Sequence, residues 1–326
     1  MRIMKSFVDG IVFVGKVVFS LIKHFLIGLF VVLTIYPKYF GIGMVYLLDR
    51  RKREQIKQKR GKPIIPLIMM ILSLIIYLIM VFIFTRWYVQ NKRIEYLQDD
   101  ILNSTVRIEE IENDLNTDSS TGENNEIIAD SNYSDVPYID VDFTNLLNTN
   151  SETVAWIKVN GTIIDYPVVQ HNDNDYYLHH DFYGNATDLG WVFGDYRDNF
   201  STFGYNTIIY AHNLINDTMF GSLSNVLTSS WQNNTDNHYV KISTPTSNTV
   251  WKVFSVYTIV PTVDYLKTSF TENEYQEFLN MLTGRSVYNF DVPLSTSDKI
   301  ITLSTCDDAG TKRLVVHAKL VKVQYK

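Results

Sequence analysis

Hydrophobic and polar positions divide this chain into a lipid-like head, a polar middle and a globular tail. Residues 64–85 read IIPLIMMILSLIIYLIMVFIFT, a run without a single charge. As a helix it would reach about 33 Å, enough to cross the hydrocarbon core of a bilayer, and it is longer than most helices of a soluble core. Arg86, Trp87 and Tyr88 follow, as an interfacial anchor should, so a transmembrane helix is expected over 64–86. Upstream, residues 25–48 are apolar except for Pro37 and Lys38 near the middle. A lysine at mid-bilayer is expensive. The N-terminal region 1–62 is therefore expected to hold an extra membrane span within 25–48, with an interfacial helix as the alternative. No small-residue cleavage pattern follows the apolar stretch, so a removable signal peptide does not fit.

Periodicity changes after the apolar run. Ile94, Leu97, Ile101, Ile108, Ile111 and Leu115 fall at heptad positions, broken at Ser104, which predicts a helical stalk over 89–116. Three heptads are the minimum for a coiled coil, so the stalk reads equally as a single amphipathic helix or as a dimer seam. Residues 117–137 are acidic and polar and predict a linker. From 138 to 326 short β-branched and aromatic runs alternate with Gly, Asn, Asp and Pro: WIKVNGTIIDYPVV, NTIIYAH, HYVKIST, VWKVFSVYTIV, KIITLST and RLVVHAKLVKV. Helices are few. Thr271 and Glu274 make a capping box ahead of YQEFLNML, and residues 142–149 read as another helix. The expected fold class is mainly β, an antiparallel barrel or sandwich with a few helices, preceded by membrane helix and stalk.

Charge sharpens the topology. Residues 1–62 hold 13 Lys and Arg against 3 Asp and Glu, whereas the rest of the chain is acidic and the whole carries a formal charge of −6. The stretch 50–62, RRKREQIKQKRGK, has eight basic residues and one acidic, which beside a span marks the cytoplasmic side. The neighbouring apolar runs favour a membrane over nucleic acid as its partner. Everything beyond about Arg86 is then expected outside the cell. The single cysteine excludes an intramolecular disulfide framework.

That cysteine, Cys306, ends the strand KIITLST, where a thiol is presented; an inert buried cysteine is the competing reading. Only six residues, 307–312, separate Cys306 from Arg313, which opens RLVVHAKLVKV, so the two runs form a natural hairpin. If they pair directly, Cys306 and Arg313 share a face about 5 Å apart. An arginine there raises the thiolate fraction and stabilises an oxyanion; otherwise it is a solvated rim residue. A cysteine nucleophile also needs a proton carrier. His212 ends the strand NTIIYAH, a placement like that of Cys306; His317, on the same strand face as Arg313, is the rival.

TLSTC, an arginine entering the last strand and an upstream YAHN together resemble the sortases. The resemblance covers about 138–326 and is closest to class B, in WIKVNGTIIDYPVVQ, DNDYYLHHDFYG, NTIIYAHN and TLSTCDDAGTKRLVVHAKL. It implies an eight-stranded sortase barrel in which Cys306 is the nucleophile, His212 the general acid/base and Arg313 the group that orients substrate and stabilises the oxyanion. Tyr210, Ser304 and Thr305 would line the cleft, and Asn174 and Leu178 would touch the sorting peptide. Asp308 is an acid shortly after the cysteine, as in some class B members, or a plain turn residue. The implied reaction cleaves a sorting pentapeptide after Thr and passes the protein to an amine of a cell-wall precursor or a pilin lysine. It requires no metal and no organic cofactor. A cysteine endopeptidase that resolves the thioester with water and a non-catalytic surface adhesin or scaffold are the alternatives. Two features depart from the family: a short turn between Cys306 and Arg313, and an N-terminal region longer than a single anchor.

Overall fold

The structure, a computed structural model, describes residues 41, 42, 45, 48–60, 64–110, 127–129, 133–306 and 311–326. The expected extra span within 25–48, most of the linker 117–137 and Asp308 fall largely or wholly outside them. The chain divides into two units, Met1–Tyr88 and Val89–Lys326.

In the first unit α1 (Arg50–Arg60) carries the basic run, and α2 (Ile64–Ser104) begins with Pro66 in its first turn, where a missing N–H costs nothing. Among the described side chains, Ile68 and most of those from Ile71 to Phe84 are exposed, with Leu74 and Tyr77 half-buried. Among the described residues this is the one helix long and apolar enough to cross a membrane, with a mean hydropathy of 2.0 over its apolar window.

The second unit is a closed β-barrel. Its strands are β4 (Thr153–Val159), β5 (Asp165–Val169), β6 (Phe193–Gly194), β7 (Asn206–His212), β8 (Tyr239–Ser243), β9 (Ser247–Ile259), β10 (Ile300–Cys306) and β11 (Arg313–Tyr325). They run in the order β10-β7-β6-β5-β4-β8-β9-β11, and β11 pairs back onto β10 to close eight strands. Most pairings are antiparallel, as alternating short strands with tight turns require; β10–β7 and β5–β6 are parallel. Three short strands precede the barrel: β1 (Arg107–Glu110), β2 (Ile127–Ala129) and β3 (Tyr138–Val141). β1 pairs with β3, and β2 pairs with the far end of β11.

Burial explains which runs became strands. Every residue of β7 is buried, which is why NTIIYAH reads as an apolar run and not as an alternation. Trp156, Tyr166, Trp191 and Trp251 are fully buried in the main core cluster. A second core lies outside it, where Tyr275, Phe278, Leu279 and Leu282 of α4 (Glu272–Arg285) pack on Phe254, Tyr257 and Val315. The Thr271–Glu274 capping box is formed at the start of α4, and the helix expected in 142–149 is α3 (Thr144–Thr149).

Two expectations need correction. The helix predicted over 89–116 ends at Ser104, and Arg107–Glu110 is strand. Arg107 is recruited by the barrel, ion-paired to Asp165 at 2.6 Å and lying over the Trp156 ring. The seam residues Ile94 and Ile101 are buried in the same core cluster as the barrel interior, so the apolar stripe assigned to a stalk or dimer is occupied within the chain. Nor is 117–137 polar linker throughout. Ile127–Ala129 forms β2, and Lys322 at the end of the barrel donates to the carbonyls of Ser134 and Val136.

Candidate active site

The parallel pairing of β7 with β10 is the starting point. Its register runs from Asn206 opposite Ile300 to His212 opposite Cys306. The histidine and the cysteine are therefore the last residues of two neighbouring strands that point the same way, with backbones about 4.8 Å apart. On the other side of β10, the antiparallel register sets Ser304 against Val315. Two residues further on, β10 ends at Cys306 and β11 opens at Arg313. The neck of this hairpin is pinned by Thr305, whose hydroxyl accepts the N–H of Leu314 at 2.9 Å.

His212 is held from below. Its Nε2 lies 3.0 Å from the carbonyl oxygen of Leu178, at the end of a short 3-10 turn, Tyr176–Leu178. A carbonyl only accepts, so Nε2 carries the hydrogen of this contact. Gly190 makes this contact sterically feasible. Its φ is +57°, and a Cβ there would sit 2.6 Å from the Tyr177 oxygen, 2.8 Å from the Leu178 oxygen and 2.9 Å from Cδ2 of His212. The loop after β7 returns to the same residue, with Phe220 N–H donating to the His212 carbonyl at 2.9 Å.

Arg313 is aimed by a tyrosine that the sequence reading did not single out. Its Nη1 donates to the Tyr265 hydroxyl at 3.3 Å, and that hydroxyl shares a 3.0 Å hydrogen bond with Ser304 Oγ. Tyr265 sits in a 3-10 turn, Asp264–Leu266, tied down on all sides. Arg285 of α4 grips Asp264 with both guanidinium nitrogens, Arg197 reaches the Leu266 carbonyl, and Asn206 reaches those of Tyr265 and Lys267. No local motif marks Tyr265, which lies 48 residues from Arg313 in the chain.

The remaining expected site residues divide. Tyr210 and Asn174 meet at Asp195, which accepts the Tyr210 hydroxyl and the Asn174 amide, each at 2.9 Å, along with Arg197. Burial pushes the Asp195 carboxyl up, but the hydrogen bonds from Arg197 outweigh it and the net shift is downward. Burial and that carboxylate raise the Tyr210 phenol. Ser304 belongs to the Arg313 support. Leu178 contributes its backbone carbonyl. Thr305 is buried on the alternate face of β10 from Ser304 and serves the hairpin rather than a cleft. His317 is fully buried between Thr302 and Tyr257, each 2.9 Å from one ring nitrogen. Burial, reinforced by the charge of Arg285, drives its pKa down to about 3 and leaves it neutral.

The sortase domain family matches residues 157–321. Sortase B of Staphylococcus aureus is 37% identical over 190 residues, 56% of this chain and 75% of that protein. Among solved structures, a Staphylococcus aureus sortase B–substrate complex superposes with a TM-score of 0.52 at 36% identity, covering 55% of this chain and 84% of that one. A sortase B complexed with triglycine superposes with the same TM-score and identity, covering 55% and 85%.

Proposed function

The chain belongs to the sortase family, and from that premise we propose that Cys306, His212 and Arg313 form its catalytic centre. The family makes it a cysteine transpeptidase, which needs a thiolate, a proton carrier and a group facing the developing oxyanion. The observation that carries the assignment is the in-register parallel pairing of His212 with Cys306, with Arg313 opening the strand on the other side of β10.

The Cys306 thiolate adds to a threonine carbonyl carbon of a sorting pentapeptide. A C–S bond forms and the carbonyl oxygen takes up negative charge, which Arg313 meets. The C–N bond then breaks, and His212 gives its Nδ1 proton to the departing amine. The thioester left behind is attacked by an amine of a cell-wall precursor or a pilin lysine. His212 Nδ1 removes the proton of that amine, and the Cys306 thiolate leaves. Throughout both halves Nε2–H stays on the Leu178 carbonyl, so the ring gives and takes the proton without turning. The substrate and triglycine complexes of the relatives support a peptide donor and an amine acceptor for this chain.

Residues 138–326 are the catalytic domain in this reading and stand outside the cell. The helix over 64–86 crosses the membrane, and the basic stretch 50–62 stays in the cytoplasm. The exposed apolar length of α2 and the basic α1 before it support that orientation. Protease added to intact protoplasts should release the catalytic domain; its protection would overturn the topology. For the chemistry, mass spectrometry of enzyme mixed with a sorting peptide should find the acyl adduct on Cys306. Cys306→Ala should abolish cleavage and transfer without unfolding, and normal turnover by that variant would sink the assignment.

A further inference from the structure

The end of α2 and the loop that leaves β7 play no part in the chemistry above, yet they are joined. Within Val89–Ser104 the side chains of Asn91, Ile94, Gln98 and Ile101 are buried. A glutamine in such a seam is costly unless it is hydrogen-bonded, and an apolar residue would fill the position without that cost. Gln98 is bonded: its Oε1 accepts the Tyr166 hydroxyl at 2.6 Å. The same Tyr166 oxygen accepts the N–H of Met219 at 3.0 Å. Tyr166 itself is fully buried on β5, its ring edge-on to Trp191 at 5.8 Å.

Met219 is the point at which the loop turns back. It lies in the left-handed region, φ +53°, as does Asp217 at +65°, conformations that side chains beyond Cβ adopt only when their surroundings hold them. Met219 bridges to Asn213, and the next residue, Phe220, donates its N–H to the His212 carbonyl. Gly221 then passes so close to Leu214 that a Cβ there would clash with the Leu214 carbonyl oxygen. A second tie from the helix reaches the same loop, Asn216 Nδ2 to Glu95 Oε1 at 3.4 Å. On the ring side, Trp191 follows Gly190, against which the His212 imidazole lies.

We infer that the last turns of α2 are a positioning element for His212, acting through a relay from Gln98 through the Tyr166 hydroxyl to the Met219 N–H. Gln98 and Tyr166 touch neither substrate nor the reacting atoms. They hold the loop that fixes the His212 backbone, so that Nδ1 meets the leaving and incoming amines at one place. The inference rests on His212 as the proton carrier.

The test uses the full chain in detergent micelles and measures kcat, KM, the pH profile of kcat and Tm for Gln98→Leu, Tyr166→Phe and their double variant. Arg93→Ala, which breaks an ion pair between the same helical segment and Asp181, controls for docking of the helix alone. His212→Ala is run alongside. Displacing a catalytic group by a fraction of its productive geometry should lower kcat by about 10- to 100-fold in each relay variant, with KM unchanged. The pH profile of kcat should shift, and the double variant should be no slower than the worse single one, because the residues form one relay. Arg93→Ala should lose thermal stability and keep its kcat. Relay variants that lose Tm like Arg93→Ala but keep kcat and pH profile would overturn the inference and leave the site intact. An active His212→Ala variant would overturn the site assignment, and the inference with it.

Discussion

His212 and His317 stand on the two strands that flank β10, and only their surroundings differ. His212 pairs with Cys306 at the end of a parallel strand pair, with one ring nitrogen committed to a carbonyl. His317 pairs with Thr302 four residues inside the hairpin, with both nitrogens committed to hydroxyls and its pKa held at about 3. A proton carrier must accept and release a proton near the working pH. The interior position forbids that, because a charged imidazole there would be desolvated and would face Arg285. The proposed site lies at strand ends, where the parallel register sets the His212 and Cys306 backbones side by side.

The comparison can be broken most directly by exchanging the fates of the two histidines. His212→Ala should lose both half-reactions, a fall of about 10²–10⁴ in rate for a general acid–base group. His317→Ala should lose stability through the cavity it leaves and the lost hydrogen bonds to Thr302 and Tyr257, and retain turnover at low temperature. Transfer of a labelled amine to a sorting peptide decides between them, and a dead His317→Ala beside an active His212→Ala would reverse the assignment.

Arg313 extends the contrast to the other edge of β10. Lysine keeps its charge but loses the planar fork that reaches Tyr265 and a developing oxyanion together. Arg313→Lys should therefore cost on the order of 10²–10³ in rate, the usual loss for one oxyanion donor. Near-full activity would mean that charge alone suffices.

Gly190→Ala sharpens the claim that His212 is held from below. The new Cβ must displace the Tyr177 and Leu178 carbonyls or the imidazole, and a left-handed alanine itself costs about 1 kcal/mol. Transfer should drop together with Tm. A lowered Tm with unchanged kcat would show that the Leu178 contact does not matter to the reaction.

The smallest effect is read in acid. His317 has a folded pKa near 3, below its ordinary value, so between about 6.5 and 3 the unfolded chain binds a proton that the folded one refuses. The stability this site contributes is complete above about pH 6.5 and is lost as pH falls through that window, by up to about 1.4 kcal/mol per pH unit. His317→Gln should flatten that part of the stability–pH curve; urea melts of the two proteins at pH 7, 5 and 4 measure it. Equal slopes would mean that the imidazole is hydrated in the folded state.

Much of this was legible in one sequence, for stated physical reasons. An uncharged run of bilayer length after a basic cluster, strands punctuated by Gly and Asn, and the capping box of α4 are local signals carried by neighbouring residues. TLSTC, YAHN and Arg313 were legible because they sit at strand ends. The stalk was misread because a heptad stripe records that a face will be buried and not what buries it. Ile94 and Ile101 are covered by the chain's own domain, and Arg107 was drawn into β1 by Asp165 and Trp156.

Composition and local pattern by themselves determined the membrane-length helix, the β character of residues 138–326 and the few residues able to do thiol chemistry. Tertiary structure alone decided which histidine stands beside Cys306, since His212 is 94 positions away in the chain and His317 only 11. It likewise chose Tyr265 to hold Arg313, Gly190 to seat His212, and Gln98 with Tyr166 to tie α2 to the loop behind it. The reason is geometric. Hydrophobic periodicity is written between residues a few positions apart, whereas a parallel strand register, a backbone carbonyl aimed at an imidazole and a hydroxyl shared by two strands exist only once the barrel has closed.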